Sequence, residues 1–113
     1  MVKQFQVWII NLDPTIESEI KQTRPCVIIS PNEMNRHLRT VIVAPMTTAV
    51  RGYPTRVSCS YAGKKGEVAL DQISTIDKTR LVKLEGPLGK PSSGLILDVL
   101  QEMFKKTSLL QKS

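Results

Sequence analysis

Histidine is almost missing: His37 is the only one in 113 residues. A histidine-built metal site therefore has no second ligand, and the two cysteines, Cys26 and Cys59, show no zinc-like spacing with it. Both cysteines lie inside apolar runs, where free thiols behave as small hydrophobes. No G-x-S-x-G motif and no Cys–His pairing supplies a protein nucleophile. Aromatic residues are only 4% of the chain, so side chains on which a nucleic-acid base could stack are few. Trp8 and Phe5 read as strand core, and Tyr53 as a turn residue with some freedom to stack. No apolar run approaches the roughly 18 residues that span a bilayer. The opening MVKQFQVWIINLDP lacks the small-residue cleavage site of a secretion signal, so the expected location is cytoplasmic, with no membrane partner. Repeats, linkers and low-complexity stretches are missing as well, and residues 1–113 read as a single domain.

What is present is positive charge. Sixteen Lys and Arg against ten Asp and Glu leave +6, with a pI near 9.6. That balance suits a polyanionic partner, nucleic acid or an acidic protein, and equally suits a soluble basic domain. The 41% hydrophobic share allows one small core, to which a dimer interface would be a natural supplement.

The pattern is mostly strand. Residues 5–11 (FQVWIIN) form a buried first strand ended by Asp13-Pro14. Residues 25–30 form a second, with Pro25 at its first position. A helical turn follows over residues 31–36, with Ser30 as N-cap and Pro31 at N1. Residues 40–44 (TVIVA) make a third strand. TRVSCSY alternates, Val57, Cys59 and Tyr61 on one face and Arg56, Ser58 and Ser60 on the other. A turn at Gly63-Lys64-Lys65-Gly66 leads to residues 67–70, and a last strand covers 79–85. A terminal helix opens near Pro91, with Ile96, Val99, Leu100, Met103 and Thr107 as its apolar stripe, widened by Leu95 and Phe104. Asp98 and Glu102 precede Lys105 and Lys106 in the order that suits the helix dipole. Six or so short strands and one helix predict a small barrel or strongly curved sheet.

Three polar clusters sit at strand ends. Glu19 and Arg24 frame the second strand's entrance, either as a loop ion pair or as groups that handle a charged ligand. Thr47 and Thr48 follow Pro45-Met46, where they either bond the turn or face a site. Asp71 and Gln72 follow Val68-Ala69-Leu70, with Asp71 also able to cap the turn around Ser74-Thr75. If they converge they present a cation, neutral donors and carboxylates, without a nucleophile. RNA brings its own, the 2′-hydroxyl beside each phosphate.

These residues resemble a known family. Trp8-x-x-Asn11-Leu12-Asp13-Pro14-Thr15, then Ser18-Glu19 with Arg24-Pro25, then Ala44-Pro45 with Thr47-Thr48, then Gly52-Tyr53-Pro54, and Ala69-Leu70-Asp71-Gln72 running on to Asp77, are similar in order to the MazF/PemK toxins. The resemblance covers about Val7 to Phe104. It implies a mainly β, SH3-like (MazF/PemK/CcdB-type) curved-sheet barrel with a C-terminal helix. It also implies a homodimer and a metal-independent, often sequence-specific endoribonuclease (mRNA interferase) of a toxin–antitoxin pair, blocked by a cognate antitoxin with an acidic, partly disordered segment. The family's catalytic arginine and threonine correspond to Arg24 and Thr48. Two departures stand out: Ala69 occupies a position where some relatives carry arginine, and Ser18 one that can be histidine. The acid–base assignments of those relatives therefore do not transfer.

On this reading the substrate is single-stranded RNA such as mRNA, no cofactor is needed, and the products are a 2′,3′-cyclic phosphate and a 5′-hydroxyl. Arg24 stabilises charge on phosphate, Thr48 adds a hydrogen bond, and Glu19 is the candidate base. Thr47, Asp71, Gln72, Lys21, Arg51 and Arg56 are candidate RNA contacts. The competing expectation is a toxin of the same fold that inhibits a protein such as DNA gyrase without catalysis. A non-catalytic RNA-binding barrel is the third.

Overall fold

The computed structural model describes residues 1–12 and 22–107; the expectations for Asp13-Pro14, Glu19 and Lys21 fall outside them. Its strands are β1 (Gln6–Asn11), β2 (Thr23–Ile28), β3 (Thr40–Thr47), β4 (Arg56–Tyr61), β5 (Lys64–Ala69), β6 (Ser74–Asp77) and β7 (Leu81–Pro87). A short helix α1 (Asn32–His37) precedes β3, and α2 (Lys90–Met103) follows β7. The antiparallel strands follow the order β4-β5-β3-β2-β1-β7, with β6 also on β3. β3 is the pivot. Its first half pairs with β6 and its end with β5, so the sheet curls along this strand. The result is a half-barrel closed on one side by α2.

The inner parts of β2 and β3 are apolar because both of their faces are covered there. On one face Val27, Ala44, Met46, Val57, Val68 and Leu70 meet Ile96 of α2. On the other, Cys26, Ile28, Val41 and Val43 gather with Ile10 and Ile76. Both cysteines are free and buried, as the apolar runs implied. Ile96 is fully buried, and burial of a side chain that size contributes about 1.5–3 kcal/mol towards docking the helix. Val99, Leu100 and Met103 flank it as expected, whereas Leu95 and Phe104 are exposed and do not widen the stripe.

Three local expectations change. The β4–β5 hairpin turns at Ala62-Gly63, both with positive φ (52° and 76°), and Lys64, Lys65 and Gly66 belong to β5. Gly66 is glycine for another reason: a Cβ there would lie 2.2 Å from the Thr47 carbonyl oxygen. Ser30 does not cap α1. Its hydroxyl donates to Asn35 Oδ1 (2.5 Å) and accepts from the Ile42 amide (3.0 Å), so Pro31 takes the cap position. Finally, Ser74-Thr75 is not a turn but the start of β6, paired with Val43 and Ile42.

Candidate active site

Register places the site. Cys26 faces Pro45, Thr47 faces Glu67, and Arg56 faces Ala69 across the ladders. Because side chains alternate along a strand, Arg24, Pro45, Thr47, Glu67, Ala69 and Arg56 all lie on one face of four adjacent strands. The opposite face carries the Val27, Met46, Val57 and Val68 core. The connection of residues 48–55 borders this polar face.

A concavity of about 430 Å³ opens there, lined by Arg24, Pro45, Thr47, Arg51, Tyr53, Arg56 and Gln72 among others. Arg24 is exposed at the start of β2, while Cys26, one pleat further in, is buried. The strand thus carries the arginine to the rim. Among the described residues, the ion pairs fall on Arg56 and Lys105 and leave Arg24 outside them. Thr47 Oγ1 accepts from the Ala49 amide at 3.1 Å, a turn-forming bond that orients the start of the connection. Thr48 is exposed and lines an adjoining cleft of about 270 Å³ with Pro25, Met46, Thr47, Tyr61 and Lys64. Thr47 is thus the wall between the two hollows.

Arg56 and Asp71 are paired with each other. Arg56 donates to Asp71 Oδ1 through Nε (2.7 Å) and to Oδ2 through Nη2 (3.3 Å). Thr55 Oγ1 adds a bond to the same carboxylate at 3.0 Å. The Arg56 side chain is only 7% exposed and lies over the Tyr53 ring at 5.1 Å. The Arg56 hydrogen bond holds the Asp71 carboxyl below its ordinary range, and that bond likewise raises the guanidinium. Asp71 is outside the concavity's lining, whereas Gln72, beside it, is inside.

Glu67 was not singled out from the sequence, although it is 3% exposed in the middle of β5. Its two oxygens accept from the Arg51 amide (2.9 Å) and the Gly52 amide (3.0 Å), with Arg56 Nη1 3.6 Å away. The Arg51 amide bond leads in lowering its carboxyl. A glutamate within a buried strand register, two residues from where an arginine falls on the neighbouring strand, was the signal available.

The family model for the PemK-like, MazF-like toxin of type II toxin-antitoxin systems matches residues 3–104. The chain belongs to this family. It is 36% identical over 77 residues to the endoribonuclease PemK of Escherichia coli, a match covering 64% of this chain and 58% of that protein's length. To the endoribonuclease MazF of Staphylococcus epidermidis it is 34% identical over 87 residues, covering 72% of each. A solved mycobacterial endoribonuclease in complex with its cognate antitoxin superimposes with a TM-score of 0.77 at 26% identity, over 90% of this chain and 93% of that one. The curled sheet with its C-terminal helix is therefore a PemK/MazF fold, as the resemblance implied. Among the described residues, no helix of this PemK/MazF chain is long and apolar enough to cross a membrane.

Proposed function

We propose that the chain is an endoribonuclease toxin that cuts single-stranded RNA, mRNA included, without a bound metal. The observation that carries this reading is Arg24 in a concavity shared with Thr47, one wall away from Thr48. The 2′-oxygen attacks its own phosphorus, forming a 2′-O–P bond and breaking the bond to the 5′-oxygen. The products are a 2′,3′-cyclic phosphate and, once the leaving oxygen takes a proton from water, a 5′-hydroxyl. Arg24 can grip two phosphate oxygens at once and hold the charge that builds on them. Thr47 and Thr48 offer neutral hydrogen bonds beside it, and Glu19 keeps its assignment as the base that receives the 2′-hydroxyl proton. Arg51 and Gln72 line the same hollow and face the strand; Lys21 belongs with them on sequence. Arg56 and Asp71 neutralise each other, and their part is to shape the rim.

The gyrase-inhibitor reading loses ground because the named relatives are endoribonucleases, and because inhibition of a protein needs no arginine–hydroxyl set. The working form is a cytoplasmic homodimer silenced by a cognate antitoxin, whose acidic segment suits a +6 chain. Incubating the pure protein with long single-stranded transcripts in excess EDTA tests the activity. Discrete fragments ending in cyclic phosphate are expected; intact transcripts under these conditions sink the reading.

A further inference from the structure

We propose that Glu67 is a positioning residue, holding the 48–55 connection over the sheet so that Thr48 and Arg51 meet RNA beside Arg24. The proposal rests on the nuclease reading above. A carboxylate at 3% exposure is costly unless fully partnered. Here two successive backbone amides, Arg51 and Gly52, take one oxygen each. Among the described residues, the other bonds of the connection lie at its ends. Ala49 is tied to Thr47 at the start, while Tyr53 and Thr55 are tied to Arg56, Leu70 and Asp71 at the finish. Apolar burial does not hold the middle, since Val50 is 66% and Tyr53 51% exposed. Among the described residues, Glu67 is what anchors it. Gly66 acts from the same strand: its missing side chain lets the Thr47 backbone lie directly on β5. One dipeptide of β5 thus sets both where the connection leaves the sheet and where its middle is held.

The test compares wild-type chain with Glu67→Gln and Glu67→Asp. Gln keeps the shape but turns a donor towards one amide; Asp keeps the charge facing Arg56 but is too short to reach both amides. Three quantities are read: the single-turnover rate on an all-ribose oligonucleotide, the affinity for the same strand with deoxyribose at the mapped cut, and hydrogen exchange at the Arg51 and Gly52 amides. For both variants the rate should fall about 10- to 100-fold, the cost of a roughly ångström-scale misplacement. Affinity for the uncleavable strand should fall far less than the rate, since Arg24 and the other cations off the connection stay in place. Exchange at both amides should quicken. Unchanged exchange overturns the anchor, and quick exchange with an undiminished rate overturns its role in positioning. A rate loss matched by an equal loss of affinity reduces Glu67 to a structural part and overturns the proposal too. A wild-type chain that cuts nothing sinks the nuclease reading instead, and the exchange arm still decides the anchor.

Discussion

Arg24 and Cys26 are one pleat apart on β2, and burial gives them opposite roles. Burial pushes the Cys26 thiol up to about 11, so at neutral pH it carries its proton and is no nucleophile. On the proposed reading the attacking group comes with the substrate, and what the chain supplies is charge at Arg24. A preorganised donor aimed at developing negative charge is commonly worth about 3 kcal/mol, or roughly two decades in rate. Arg24→Ala should therefore slow single-turnover cleavage at least about 100-fold, with an unaltered circular dichroism spectrum. Arg24→Lys separates charge from shape. Lysine is a point charge without the planar two-pronged grip, so a rate at least about tenfold below wild type is expected. A lysine variant at full speed would show that a lone positive charge is enough.

At the scale of elements, most of the architecture was readable because its cause is local. The alternation of TRVSCSY survives as β4, with Val57 and Cys59 buried and Ser58 and Ser60 exposed. The Ile96, Val99, Leu100 and Met103 stripe survives as the docked face of α2. What escaped has non-local causes. β6 is four residues long, three of them exposed, and exists because β3 has a free edge waiting for it. The hairpin turn was shifted because two glycines bracket Lys64-Lys65, yet Gly66 answers to Thr47 on β3 rather than to the turn. Within the site, Arg24 and Thr47 were legible as strand-end polar residues. Glu67 was not, because its reason for being is a connection sixteen residues upstream. The corrected turn makes its own prediction. Ala62 sits at φ 52°, where a side chain costs about 1 kcal/mol, so Ala62→Gly should raise stability by up to that amount. Gly66→Ala should do the reverse and lower it, since backbone must shift. Urea melts of both variants check the pair, and a destabilised Ala62→Gly would place the turn elsewhere.

At the scale of the whole molecule, an excess of six positive charges favours a polyanionic partner but makes the remaining carboxylates disproportionately important to the fold. Glu67 faces the Arg51 and Gly52 amides and Arg56, and Asp71 faces Arg56 and Thr55. Asp77, at the far end of β6, accepts from the Thr79 amide, with Arg39 and Arg80 nearby. All three carboxyls are held below their ordinary range, each led by a hydrogen bond. The unfolded chain therefore binds protons at a higher pH than the folded one. The stability these groups contribute is complete above their unfolded values, near 4, and drains away as pH falls through the lower folded values. Thermal melts should thus be flat from pH 7 to about 5 and fall steeply below about 4. Protonation would also free Arg56 and the Arg51 amide together, so the protection of amides in the 48–55 connection, taken against the intrinsic exchange rate at each pH, should fall in the same acid range. A melting temperature that already drops between pH 7 and 5.5 would mean that some other group governs the acid limit of this fold.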